Sequence, residues 1–379
     1  MTADTTPTLL RNRMLAIFAL QGIPMAMFFM RIPDLQLRAG LSDAQLGLIL
    51  MGGPIGGITT FALASRLIER FGTRWVILTT YPAMALAAGL ATIPTQPLLL
   101  FAAIWLFGAF NSVSAIAINV EADRIEGSSG LRIMNSCHGT WSIVYFLASL
   151  LAGLIRGAAI DPALHLWLML PLFGAISLLL VWPMHGAPAR PSMASSRKFV
   201  RPTLTILALV AFALGAEMLE GASRVWATIF IRDTYDVPAL IESMALPALI
   251  LSMAAARLVT DRIVDRYGPA RVGLVASAIA FVGVAVIAFS GNAYIAIAGF
   301  AIAGLGASVG YPLMISAAAR IGDRPASENV ASATMVVQLV MLLSPALIGT
   351  IADGFGVRVA FGALLPLLAL GMVMSRKLR

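Results

Sequence analysis

The sequence has 379 residues, of which 59% are hydrophobic and only 12% are charged, and its mean hydropathy is +0.90. This composition excludes a soluble globular protein and indicates a polytopic membrane protein. The net charge of +8 could suit an anionic partner such as a nucleic acid, so the distribution of the basic residues has to decide its meaning.

Apolar runs of about 20 residues recur along the chain, and each is long enough to cross a hydrocarbon core of about 30 Å as a helix. The polar leader from Met1 to Pro7 lacks the cleavage pattern of a signal peptide, so we expect the first apolar segment to remain as a span. The pattern predicts an all-α integral membrane protein with twelve transmembrane helices, at approximately residues 13–32, 44–65, 75–95, 97–120, 133–155, 165–183, 203–231, 239–260, 271–290, 293–319, 329–351 and 357–375.

The basic residues concentrate on one side of these spans. With both termini in the cytoplasm, twenty of the 26 Lys and Arg residues fall in cytoplasmic segments or at their edges, and Arg224 lies within a span. The remaining five are Arg31, Arg38, Arg156, Arg232 and Arg358. This is the positive-inside bias of membrane proteins, so nucleic-acid binding is not needed to explain the charge. We expect a multi-pass protein of the bacterial inner (cytoplasmic) membrane with both termini cytoplasmic.

The first two spans carry polar and small residues. Gln21, Met25 and Phe28 share one face of the first span, either as a cavity wall or as ordinary helix packing. Small residues let helix backbones approach closely, which suits either a moving interface or static packing. Those of the second span are Gly52, Gly53, Gly56 and Gly57.

The segment after the second span recurs later in the chain. A shift of 196 residues aligns Ser65 to Val76 with Asp261 to Val272, with four of the twelve positions identical. Both segments join equivalent pairs of spans. The offset is about half the chain, so the sequence predicts two pseudo-symmetric six-helix halves, at residues 1–186 and 202–379, joined by a cytoplasmic linker at residues 187–201.

These paired loops resemble the loop motif of the major facilitator superfamily (MFS) of secondary transporters, and the resemblance covers essentially the whole chain. Glu69, Arg70, Gly72 and Arg74 match the motif, whereas Ser65 stands where the family usually has glycine. The resemblance implies that loop charges fasten the cytoplasmic helix ends in one conformation and release them in another; the alternative is that the arginines only fix orientation. The candidate gating residues are Arg66, Glu69, Arg70, Gly72, Asp261, Arg262, Asp265, Arg266 and Gly268.

The fourth and fifth spans supply further candidate binding residues. Asn111 lies near the middle of the fourth span, and we expect the run from Glu121 to Glu126 beyond it to be a solvated loop face. His138, Trp141 and Tyr145 lie on successive turns of roughly one face of the fifth span. A neutral histidine both donates and accepts hydrogen bonds, so His138 could bind substrate or relay a proton, or could be a hydrogen-bonded structural residue.

Two further family markers bear on the substrate. Many proton-coupled drug antiporters carry an Arg in the fourth span and a Gly-Pro dipeptide in the fifth span. Neither occurs here, which disfavours drug efflux without excluding it. The run Leu131 to Asn135 followed by His138 and Gly139 loosely resembles the fucose-permease-like branch, but that branch's membrane acids in the first and fourth spans have no counterparts. Sugar specificity is therefore not implied.

The tenth and eleventh spans contain Tyr311 and Gln338, which could donate hydrogen bonds to a solute or could serve helix packing. The single cysteine, Cys137, excludes an intrachain disulfide or a thiolate metal cluster. We expect no metal and no cofactor.

The seventh predicted span carries the strongest functional signal. Glu217, Glu220 and Arg224 lie in its interior, and Glu220 and Arg224 fall about 60° and 20° from Glu217 around the helix. A charge at the bilayer centre costs at least about 2.5 kcal/mol, so these side chains must face protein or a water-filled cavity. Glu220 and Arg224 could instead only neutralise each other and fasten two helices together.

These observations favour a secondary active transporter that moves a small polar or anionic organic solute by alternating access at one central site. A carboxyl group without a cationic neighbour takes up a proton more readily than a paired one, so Glu217 is a better proton carrier than Glu220, and we favour proton-coupled uptake. Alternatives are a proton-coupled exporter of drugs or metabolites, a non-transporting membrane receptor, and, least supported, a membrane enzyme. We expect a monomer whose partners are a small-molecule substrate, membrane lipid and protons.

Overall fold

A computed structural model describes residues 7–184 and 201–378, and these residues form α-helices with no strand among them. Eleven helices in the described residues are long and apolar enough to cross a membrane. The longest helix breaks at Gly72, and its second part completes the set of twelve. The predicted twelve-helix, all-α membrane fold is confirmed.

The described residues divide into two compact units, 7–41 with 49–184 and 42–48 with 201–378. The predicted linker, 187–201, lies outside the described residues except for Arg201, so the predicted domain boundaries stay predictions. The helices of the first part of the chain are α1 (Pro7–Phe29), α2 (Ile32–Ala39), α3 (Asp43–Leu50), α4 (Gly52–Leu90), α5 (Pro97–Ser129), α6 (Met134–Gly157) and α7 (Pro162–Val181).

The second part of the chain is organised around α8, which begins after Thr203 because that side chain accepts a hydrogen bond from the backbone N–H of Ile206. Its helices are α8 (Leu204–Thr234), α9 (Ala239–Glu242), α10 (Ala245–Tyr267), α11 (Pro269–Phe289), α12 (Ala293–Ala307), α13 (Gly310–Arg320), α14 (Ala326–Phe355), α15 (Val357–Gly362) and α16 (Leu365–Met374), followed by a 3₁₀ turn (Ser375–Leu378). Helix α8 packs against α13, α14 and α16, and most of its residues from Leu209 to Ile231 are buried.

The two repeated loops adopt the same backbone conformation. Gly72 has φ 78° and ψ 158°, and Gly268 has φ 81° and ψ 153°. A positive φ favours glycine, because a side chain would be strained there. The glycine of the loop motif is therefore required by the turn, at positions 196 residues apart.

Helices α4 and α5 pack backbone to backbone, and glycine permits this contact. A Cβ atom placed on Gly56 would lie 2.1 Å from the backbone oxygen of Trp105, whereas one placed on Gly53 would have only the Ile104 side chain near it, at 3.8 Å. Gly56 is thus a packing position within the first unit, one of the two roles left open for the glycines of the second span.

The structure corrects the prediction for the run Glu121 to Glu126. These residues continue α5 to Ser129 instead of forming a solvated loop face. Glu121 is buried and accepts a hydrogen bond from the Thr73 hydroxyl. Glu126 accepts hydrogen bonds from the backbone N–H groups of residues 133 and 134, where α6 begins. The carboxylates hold helix ends together, which explains charges at the end of an apolar helix.

Candidate functional site

The middle of α8 exposes only one stripe of its surface. Between Leu209 and Ile231 every residue is buried except Ala211, Leu214, Glu217, Glu220, Gly221 and Arg224. These positions recur every three or four residues, so they form one face of the helix. The three charged residues predicted from the sequence therefore share the single accessible face of this span.

Glu220 is held between two arginines. The Arg224 guanidinium, one helical turn along α8, donates a hydrogen bond to Glu220 Oε1. An Arg257 nitrogen from α10 lies 3.7 Å from Glu220 Oε2. One carboxylate thus faces two guanidinium groups, so the three side chains together carry a net positive charge.

Arg257 is not one of the binding residues predicted from the sequence, where it belongs with the basic residues at the cytoplasmic edges. In the structure α10 continues to Tyr267, seven residues beyond the predicted end of its span at 260, so Arg257 lies well inside the helix. Its Nε donates to the backbone carbonyl of Ser308 at 3.3 Å, and 46% of its side chain remains exposed. The sequence contains one indication of this position: Arg257 lies four residues before Asp261, the first charge of the second loop motif, and therefore one helical turn further into the span.

Glu217 differs from Glu220 in its surroundings. No hydrogen bond or ion pair joins its carboxylate to any described residue, although Glu220 and Arg224 lie on the same face of α8. A carboxyl group on an accessible stripe without a fixed partner can change its protonation state without breaking a structural contact. The sequence-based distinction between the two glutamates thus has a geometric counterpart.

A second polar cluster lies in the first unit and joins three of the predicted residues. The Gln21 side chain donates to Asn111 Oδ1 at 2.6 Å and accepts a hydrogen bond from Trp141 Nε1. Trp141 in turn stacks on Tyr145, with ring centroids 5.1 Å apart. Gln21 is buried, whereas Trp141 and Asn111 are partly exposed, so the cluster presents aromatic and amide groups at an accessible surface.

His138 lies one turn before Trp141 and is exposed. Its Nε2 is 3.1 Å from Asn119 Oδ1, and its ring contacts the edge of Phe18 with centroids 5.3 Å apart. Because the asparagine oxygen can only accept, His138 donates this hydrogen bond.

Glu220, Arg224 and Arg257 form what we call the α8 cluster, and the remaining predicted residues of the second unit do not join it through any hydrogen bond. The Tyr311 hydroxyl lies 3.4 Å from Thr334 Oγ1, so it links α13 to α14. Gln338 is exposed on α14 and has no hydrogen bond within the described part of the chain.

The loop charges proposed for gating are exposed in both repeats. Arg70 lies over the ring of Phe71 and Arg266 over that of Tyr267, at 5.4 and 5.3 Å from the ring centroids. Glu69 and Asp265 form no ion pair with a described residue. The two repeats therefore share an arginine–aromatic contact besides their glycine.

The first unit contains a buried ion cluster that the sequence does not predict. Arg31 and Arg156 both donate to the carboxylate of Asp34, at 2.8 and 2.9 Å, and Arg31 Nε donates to His165 Nδ1 at 2.9 Å. Arg31 is only 2% exposed. The four residues come from α1, α2, α6 and α7 or their ends, so only the folded arrangement brings them together.

Comparison with known proteins agrees with this architecture. The family model of the Major Facilitator Superfamily matches residues 14–340 and 253–379. The chain is 29% identical to an uncharacterised MFS-type transporter of Yersinia pestis, over 93% of this chain and 91% of that protein, and 23% identical to membrane protein MosC of Rhizobium meliloti, over 94% and 86%.

Solved structures show the same fold. The nucleoside transporter NupG superposes with a TM-score of 0.77 at 14% identity, covering 97% of this chain and 98% of NupG. An inward-facing bacterial homologue of the human lysosomal transporter Spinster superposes with a TM-score of 0.77 at 13% identity, covering 98% and 97%. With the family model matching most of its length, this multi-pass membrane protein belongs to the major facilitator superfamily of transporters.

Proposed function

We propose that this transporter takes up a small anionic organic solute by alternating access, coupled to protons, with the α8 cluster binding the charged group of the solute. One observation supports the anionic class above others: Glu220 is shared by two arginines, both of them partly exposed, on the accessible face of a membrane span. A second anion that reaches these guanidinium groups would balance the excess positive charge.

Arginine suits this role because its planar guanidinium group can donate two parallel hydrogen bonds to one carboxylate or phosphate. An Arg257 nitrogen lies 3.7 Å from Glu220 Oε2, longer than a charge-assisted hydrogen bond, so this nitrogen can donate to a solute while Nε keeps its hydrogen bond to Ser308. We propose separately that the Gln21, Asn111 and Trp141 cluster of the first unit binds polar groups of a solute through its amide and indole groups.

We propose that Glu217 carries the coupling proton. Its side chain lies on the same stripe of α8 as Glu220 and Arg224, but its carboxylate has no fixed partner among the described residues. Protonated Glu217 leaves the excess positive charge available to the solute anion, whereas ionised Glu217 competes with that anion. Solute binding and proton binding are therefore expected to favour each other.

The first experiment is a thermal-stability screen of the purified protein with carboxylates, organic phosphates, sugars, amino acids and amphipathic drugs, at acidic and at neutral pH. We expect hits among the anions, with tighter binding at acidic pH. Arg257→Gln should weaken binding of a hit about 10–100-fold, which corresponds to the loss of one hydrogen bond from a charged group. Arg320→Gln, at the exposed end of α13, is the matched control and should leave binding unchanged.

Uptake of the hit into proteoliposomes then tests the coupling. Glu217→Gln should bind the hit but lose the dependence of uptake on a proton gradient, whereas Asp353→Asn, an exposed acid at the end of α14, should keep it. Hits confined to neutral compounds would refute the anionic class. Proton-driven uptake that survives in Glu217→Gln would refute the proposed proton carrier.

We also propose that the chain resides in the inner membrane with both termini in the cytoplasm, as the bias of its basic residues favours. Cysteines introduced at Gln96 and at Ser128 test this in intact cells. A membrane-impermeant thiol reagent should label the first and not the second; the reverse pattern would refute the orientation.

A further inference from the structure

A groove with an accessible volume of about 540 Å³ opens on the surface of the second unit, away from the face of α8 described above. Helix α12 packs against both α10 and α11, which hardly contact each other beyond the turn that joins them. The floor is formed by buried residues such as Ala276, Ser308 and Val309. The volume lies in the range of small-ligand sites, about 300–1,000 Å³.

The walls of the groove are apolar and face outward. Val259 and Ile263 line it from α10, and Val275 and Ile279 line it from α11, all of them more than one-third exposed. Because these helices cross a membrane, the medium outside the groove is hydrocarbon. The length from Ile279 to Arg271 is about 12 Å, eight residues at 1.5 Å each, which suits the part of an acyl chain nearest the headgroup, with the rest of the chain extending into the surrounding hydrocarbon.

One end of the groove is polar and cationic. Arg271 and Tyr267 line it where α10 turns into α11, and Arg271 forms no hydrogen bond or ion pair with any described residue. Asp261 and Asp265 lie nearby in sequence, but at about 100° per residue they fall about 140° and 180° around α10 from the groove-lining Ala256. The acids therefore lie on the other side of the helix, and the end of the groove is positive.

We propose that this groove binds one anionic phospholipid, with an acyl chain between α10 and α11 and the headgroup phosphate on Arg271 and the Tyr267 hydroxyl. An apolar channel that ends in an arginine without a partner among the described residues matches a molecule that has a hydrocarbon chain and a phosphate at its end. A soluble anion would leave the apolar walls without a partner, and a zwitterionic lipid brings an ammonium group towards the positive end.

The groove also has a link to the candidate site. Ser308, part of its floor, accepts the hydrogen bond from Arg257, and Ala256 beside that arginine lines the groove. A lipid that fills the groove would thus fix the segment of α10 that carries Arg257. The lipid site does not depend on the proposed function, because its test measures lipid binding alone.

Native mass spectrometry of the full-length protein, titrated with phosphatidylglycerol or with phosphatidylcholine of the same chains, tests the proposal. We expect one phosphatidylglycerol to bind more tightly than phosphatidylcholine, and Arg271→Gln to weaken it about tenfold. Arg262→Gln, an exposed arginine of α10 outside the groove, is the headgroup control. Val275→Trp should fill the groove and weaken both lipids, whereas Leu258→Trp, 84% exposed on the opposite side of α10, should weaken neither.

Equal affinity for the two lipids, or equal losses in Arg271→Gln and Arg262→Gln, would overturn the assignment of the headgroup to Arg271. Binding that is unaffected by Val275→Trp would overturn the groove as the site. A thermal unfolding curve recorded for each variant shows that it is folded, and because all four substitutions lie at exposed positions, we expect unfolding temperatures close to that of the parent protein.

Discussion

The backbone contact between α4 and α5 can be tested by replacing one glycine of α4 at a time. Gly53 and Gly56 lie three residues apart in the same helix, and both are candidates for replacement by alanine. A methyl group on Gly56 would meet the Trp105 backbone oxygen at 2.1 Å and the Ala109 backbone nitrogen at 2.9 Å. A methyl group on Gly53 meets only a flexible side chain, at 3.8 Å.

The two substitutions share one contribution to the free energy of unfolding, helix propensity, and differ in another, overpacking. Replacing glycine with alanine in a helix stabilises it by up to about 1 kcal/mol, and this gain applies to both positions. Overpacking costs about 1–3 kcal/mol, and it applies only to Gly56, because two backbones have to move apart. Gly53→Ala should therefore raise the free energy of unfolding slightly, and Gly56→Ala should lower it relative to Gly53→Ala by about 1–3 kcal/mol.

Thermal unfolding in detergent, followed by intrinsic fluorescence, measures this difference. For a unit of this size 1 kcal/mol corresponds to about 2–4 °C, so the two unfolding temperatures should differ by about 2–12 °C. The comparison removes the shared helix-propensity term. A Gly56→Ala protein that unfolds at the same temperature as Gly53→Ala, or higher, would show that the two backbones are not in contact.

Two further substitutions test polar contacts in the first unit. Glu126→Ala removes the carboxylate that accepts two backbone N–H groups where α6 begins, and should cost about 0.5–2 kcal/mol in unfolding experiments, with Glu69→Ala, an exposed acid of α4 without an ion pair to any described residue, as the comparison. His165→Leu leaves the buried Arg31 Nε without its acceptor and should cost about 1–3 kcal/mol. An unchanged unfolding temperature in either variant would contradict the contact.

The number of spans, the repeat and the charged face of α8 could all be predicted from the sequence, because each depends on local pattern. Length and hydropathy define a span, and helical periodicity places Glu217 and Arg224 on one face. The glycine at 72 recurs at 268 because the same turn occurs twice and requires a positive φ in both. Such features do not depend on which helices become neighbours.

The contacts between helices could not be predicted in this way. The sequence predicts that Glu121 is part of a solvated loop, since a run of charges after an apolar segment usually marks the end of a span. Only the packing of α4 against α5 shows that Glu121 is buried and hydrogen-bonded to Thr73. The same holds for Asp34, whose two arginine partners are 3 and 122 residues away in sequence. Buried carboxylates are stable only with partners, and one sequence does not say where the partners are.

Arg257 shows how this limit affects function. On its own helix it is one more arginine near a basic loop, and its significance comes from Glu220 on α8, 37 residues earlier. With Arg224 alone, Glu220 would belong to a neutral pair, and a purely structural role would be the simpler interpretation. With Arg257 added, two guanidinium groups face the one carboxylate of Glu220, and a neutral structural ion pair no longer accounts for both arginines. The Glu220–Arg224 pair alone could be explained by helix packing. Arg257, which the packing of α10 brings to this pair, makes it a candidate site for an anion.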